Sequence, residues 1–93
     1  MDAHTQIELW RTQVDEIDNQ IVALLNQRAS VVADILARKQ AEKLPIRDIK
    51  REQQIIHRVI QNNLGPMADA GIAKLLEKII SECTQSALRR GLR

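Results

Sequence analysis

Residues 7–42 read IELWRTQVDEIDNQIVALLNQRASVVADILARKQAE, a run with no glycine or proline. On a helical wheel at 100° per residue with Ile21 at the origin, Trp10, Val14, Ile17, Leu24, Leu25, Val32, Ile35 and Leu36 fall within about 60° of one line. One apolar stripe therefore runs the whole length of a helix roughly 50 Å long. A compact chain of 93 residues has a radius of gyration of only about 12–13 Å. The remaining residues, about 50 of them, are too few to cover such a stripe. A second copy of the chain is the simplest cover, which predicts an obligate homodimer with the long helices side by side.

Beyond this run, Pro45 and the Gly65-Pro66 pair cut the chain into helical segments, with Gly71 shortly after and Gly91 near the end. A second helix is expected from just after Pro45, with Ile49, Ile56, Val59 and Ile60 on one face; Asn62-Asn63 before Gly65-Pro66 stops it. A third carries Ile72, Leu75, Leu76, Ile79 and Cys83 on one face and frays into an arginine-rich tail. No alternating β-branched run is bounded by a hairpin turn. The expectation is an all-α fold of three helices, about residues 6–42, 47–63 and 67–90, in one domain spanning 1–93.

Composition removes several function classes. Formal charge is +2, but Arg89, Arg90 and Arg93 supply three positive charges at the end, and the rest of the chain carries −1. A broad basic surface for nucleic acid is not expected, and with one Trp and no Phe or Tyr there is no base-stacking platform. A single cysteine, Cys83, rules out an internal disulfide framework. No apolar run approaches the ~20 residues that span a bilayer. The opening MDAHTQIELW lacks the basic start and apolar stretch of a signal peptide, so a cytoplasmic protein without membrane contact is expected. His4 and His57 are too far apart to form a helical ligand pair, and no metal motif or glycine-rich phosphate loop occurs. His57 reads as a surface residue. Ser81, Ser86 and Cys83 have no histidine nearby in sequence to activate them.

The informative anomaly is charge inside the apolar stripes. Arg28 lies about 20° from the centre of the first stripe and Lys39 lies on it, three turns further along. Glu52 sits about 40° from Ile56, flanked by Ile49 and Val59. Buried unpaired charge is costly, so each needs a partner. Two readings follow. Arg28, Lys39 and Glu52 could pair with one another in a network that fixes helix register. Alternatively they line a polar pocket open to an anionic ligand. Arg11, Arg28, Lys39 and Arg51 against Glu52 and Asp48 leave two positive charges over, which suits a dicarboxylate.

The spacing Arg11…Arg28…Lys39…Asp48-x-x-Arg51-Glu52 resembles the all-α chorismate mutase family, over about residues 7–88. RxxVDEIDNQIVALLNQR is similar to its first helix, and LPIRDIKRE to its loop and second-helix start. The resemblance implies an intertwined three-helix homodimer with no cofactor or metal, acting in aromatic amino acid biosynthesis. It implies that Arg28 and Arg51, with Arg11 from across the dimer, grip the two carboxylates of chorismate. It further implies that Lys39 donates to the ether oxygen and that Glu52 and Asp48 meet the ring hydroxyl. Arg11 lies about 100° round the helix from Arg28, in keeping with that crossing. Aligning the apolar run of the third helix puts Cys83 where a small residue is usual. The same register puts Ala87 where the family carries a Gln or Glu that makes a second ether contact. Both are included in the expected substrate site, and Gln85 points away from it.

The implied reaction, chorismate to prephenate, is unimolecular and needs neither nucleophile nor base, in keeping with a sequence that offers none. Clamping both carboxylates holds the reactive shape, and Lys39 stabilises charge on the breaking C–O bond. Alternatives on the same scaffold are an isochorismate–pyruvate lyase, a mutase acting on 4-amino-4-deoxychorismate, or a weakened mutase-like dimeric scaffold.

Overall fold

The computed structural model describes residues 1–90, which form three helices and no strand: α1 Ala3–Ala41, α2 Ile49–Gln61 and α3 Asp69–Arg89. The expected fraying of α3 falls partly on residues 91–93, outside the described residues. α1 begins earlier than its apolar stripe suggests because Asp2 caps it, its carboxylate accepting the Thr5 backbone N–H at 2.7 Å. That bond, helped by a second from Thr5's side chain, holds the Asp2 carboxyl below its ordinary value.

α1 ends in a Schellman turn, in which Leu44 N–H donates to Lys39 O at 2.8 Å and Lys43 N–H to Gln40 O at 3.1 Å. The left-handed position of that turn is occupied by Lys43, at φ 58°, rather than by glycine. The chain thereby reverses immediately after Lys39. α2 starts on its own cap, with Asp48 accepting Arg51 N–H at 2.9 Å. It stops where the Asn62-Asn63 signal places it. Asn63 then fastens the next loop by donating its amide to Met67 O at 2.9 Å and Asp69 Oδ1 at 2.8 Å. Its own side-chain oxygen accepts Gly65 N–H at 3.1 Å, beside a glycine at φ 82°.

α3 packs against both α1 and α2, which do not pack on each other among the described residues. The result is an open frame of 61 × 28 × 14 Å with a radius of gyration of 17.3 Å, well above the roughly 12 Å of a compact chain of this size. Only Leu36, Cys83 and Ala87 are buried among the described residues. The stripe on the first two-thirds of α1 is uncovered: Trp10, Val14, Ile17, Ile21 and Leu24 are 48–63% exposed.

Candidate functional site

A cavity of about 660 Å³ lies where the three helices converge. α1 lines it with Arg28 and Lys39, both half-buried, interleaved with Val32, Ile35 and Leu36. Their spacing follows from helix geometry, because eleven residues make three turns and return both side chains to the stripe. The reversal after Lys39 brings in Ile46, Arg47 and Asp48, and α2 adds Arg51, Glu52 and Arg58. α3 closes the third side with Leu76, Glu77, Ile80, Ser81 and Thr84. Polar groups thus sit on an apolar wall completed by Ile55 and Val59.

Among the described residues, Arg28, Lys39 and Glu52 do not pair with one another. Glu52 Oε2 accepts from Arg47 Nε at 3.2 Å, across the rim of the cavity. Asp48 is engaged as the α2 cap. Among the described residues Arg28, Lys39, Arg51 and Arg58 have no carboxylate within ion-pair distance. The Lys39 ammonium has one polar contact, donating to Ile46 O at 3.5 Å. Five cations and three carboxylates line the cavity, leaving it doubly positive.

Of the residues singled out in the sequence, Arg28, Lys39, Asp48, Arg51 and Glu52 come together here. Arg11 does not. It stands exposed in the N-terminal half of α1 and pairs with Glu8 at 2.7 Å, one turn away. Cys83 and Ala87 do not line the cavity either: they are 4% and 2% exposed, in the core. Alignment on the apolar run placed them at the site, but α3 turns Ser81 and Thr84 toward the cavity instead. Gln85 is exposed, donating to Ser81 Oγ at 3.4 Å and accepting from Arg89 at 3.3 Å. Thr84 Oγ1, half-buried, donates back to Ile80 O at 3.2 Å.

Arg47, Arg58, Glu77, Ser81 and Thr84 were not singled out as site residues from the sequence. Two spacings carried a signal: Arg58 follows Arg51 by two turns, and Glu77, Ser81 and Thr84 are four and three residues apart. His57 is exposed, as expected. Among the described residues no group of three His, Cys, Asp or Glu could hold a metal ion, and no helix is long and apolar enough to cross a membrane.

Residues 10–87 match the family described as chorismate mutase type II. A bifunctional chorismate mutase/prephenate dehydratase of Aquifex aeolicus is 31% identical over 82 residues, covering 84% of this chain and 23% of that protein. A chorismate mutase of Methanocaldococcus jannaschii is 39% identical over 49 residues, 53% of this chain and 50% of that one. The chain spans about a quarter of the length of the bifunctional relatives it matches. Among solved structures, a chorismate mutase of Thermus thermophilus (form II) superimposes with a TM-score of 0.87 at 30% identity, covering 90% of this chain and 96% of that one. Form I of the Thermus thermophilus mutase gives a TM-score of 0.82 at 31% identity, covering 84% of this chain and 98% of that one.

Proposed function

Because the chain belongs to the type II chorismate mutase family, we propose that its three-helix cavity converts chorismate to prephenate. The observation that carries this is the set of unpaired cations: Arg28 and Lys39 on one face of α1, with Arg51 facing them from α2. A dicarboxylate supplies the two negative charges that this cavity lacks.

Each side chain then has a role suited to its chemistry. Arg28 and Arg51 take the carboxylates, since a planar guanidinium pairs with a carboxylate through two parallel hydrogen bonds. Holding both carboxylates folds the enolpyruvyl side chain over the ring, so that the C–O bond breaks as the C–C bond forms. Lys39, half-buried and with a single weak contact of its own, donates to the ether oxygen as negative charge grows there. Glu52 and Asp48, at the start of α2, receive the ring hydroxyl. The apolar wall of Val32, Ile35, Ile55 and Val59 keeps the local dielectric low and strengthens every one of these contacts.

The site is completed by a second copy of the chain. The exposed stripe from Trp10 to Leu24 is the surface on which two α1 helices pair in an intertwined homodimer. That pairing carries Arg11 of the partner subunit toward the Arg28 end of the cavity. Cys83 and Ala87 act as packing that seats α3, one layer behind the residues that meet substrate.

The test is direct. Purified protein is given chorismate, and loss of ultraviolet absorbance is followed together with prephenate formation. Turnover that disappears in a folded Arg28→Ala variant supports the reading; a helical, dimeric wild type that leaves chorismate untouched overturns it. Parallel assays with isochorismate and 4-amino-4-deoxychorismate separate the mutase from its pericyclic relatives.

A further inference from the structure

We propose that Arg47 is a positioning residue: by holding the Glu52 carboxylate at the cavity rim, it keeps Arg28 and Lys39 free for the ligand. The role rests on the reading of the cavity as a dicarboxylate site and adds to it a residue that the sequence did not single out.

Glu52 lies on the inward row of α2, with its side chain 28% exposed. It shares a partly desolvated cavity with two half-buried cations that have no carboxylate of their own. Attraction between opposite charges strengthens as water is excluded, so a free Glu52 would be drawn inward onto Arg28 or Lys39. The register-fixing network open from the sequence would then form, and it would neutralise the charge that a dicarboxylate needs. Arg47 prevents this by taking Glu52 Oε2 at 3.2 Å from the solvent side, where its own side chain is 72% exposed and its charge stays hydrated.

The backbone fixes Arg47 in that place. Ile46, the residue before it, offers its carbonyl to Lys39 Nζ at 3.5 Å, and Asp48, the residue after it, caps α2 through Arg51 N–H at 2.9 Å. Three consecutive residues therefore each tie to a different cavity residue: Ile46 to Lys39, Arg47 to Glu52 and Asp48 to Arg51. Arg47 is anchored on both sides and stands at the edge of the cavity, its side chain largely exposed and its Nε on Glu52. Its effect on binding is exerted through Glu52.

That dependence gives a test in which a merely structural residue, or a direct ligand contact, behaves differently. Prephenate, a dicarboxylate that the mutase reaction does not consume, is titrated calorimetrically into the wild-type chain, Arg47→Gln, Glu52→Gln and the double variant. Arg47→Gln should weaken binding roughly five- to tenfold in the wild-type background. In the Glu52→Gln background the same substitution should change affinity by less than about twofold, because the carboxylate it restrains is gone. Arg47→Lys should restore most of the affinity. An equal loss in both backgrounds would make Arg47 a direct contact or a fold element and overturn the proposal. So would an Arg47→Gln variant that binds like wild type. A folded wild type that neither turns over chorismate nor binds prephenate would overturn the reading of the cavity, and this role with it. Binding by wild type without coupling in the cycle would overturn the role alone.

Discussion

Thr84 and Ala87 stand three residues apart on α3 and belong to different environments: Thr84 borders the cavity, while Ala87 is 2% exposed in the core. A larger polar side chain at Ala87 has to displace packed neighbours and bury an amide. Ala87→Gln should therefore cost about 1–3 kcal/mol of stability, read as a lower melting temperature. A raised turnover number at unchanged stability would show instead that the new side chain reaches the cavity. Asp2 gives a second residue-scale prediction, about pH. Its folded pKa lies below the unfolded 3.8, so its cap stabilises the fold above that value and the contribution fades as pH falls through the folded value. Asp2→Ala should melt earlier than wild type at neutral pH, and the two curves should converge once the pH is taken well below 3.8. A difference that persists undiminished in acid would assign the effect to something other than the carboxylate.

Among the elements, the turn that ends α1 has the most consequence for the site, because it folds Ile46–Asp48 back beside Lys39. It is built with lysine in the left-handed position, Lys43 at φ 58°. A side chain there costs strain that glycine avoids. Lys43→Gly should raise stability by about 0.5–1 kcal/mol, or roughly 2–8 °C in melting temperature for a chain of this size. Thermal melts followed by circular dichroism decide it, and a lower midpoint would mean that the lysine side chain makes a contact outweighing the strain. The element boundaries were legible because local signals set them. Asn62-Asn63 before Gly65-Pro66 stopped α2, and Pro45 separated α1 from α2. The start of α1 was less legible, since its stripe begins at Ile7 whereas the cap at Asp2 acts through one hydrogen bond.

At the scale of the whole molecule, a radius of gyration of 17.3 Å and a half-exposed apolar row along α1 describe a chain that does not bury its own core. If the chain pairs through this row as proposed, folding is linked to concentration, and the melting midpoint should rise as protein concentration is raised. A stable particle of 10.6 kDa at micromolar concentration in light scattering would contradict it. If Arg11 serves the opposite subunit, co-refolding Arg11→Ala chains with Arg28→Ala chains should recover part of the activity, because each heterodimer then has one intact site. Verified heterodimers without recovery would place Arg11 outside the site.

The helices, the length of α1 and the inward placement of Arg28, Lys39 and Glu52 were already written in the order of residues. These depend on residue spacing at 3.6 per turn and on local capping, and both act along the chain. Two things waited for the tertiary structure. One was which face of α3 turns to the cavity, where the packing of α3 against both other helices put Ser81 and Thr84 in place of Cys83 and Ala87. The other was the partner of Glu52. From spacing alone Arg28, Lys39 and an external ligand were all open to it, and Arg47, five residues earlier in a loop, obeys no helical periodicity. Its position is set by the chain reversal after Lys39, and only the folded loop brings that guanidinium to the carboxylate.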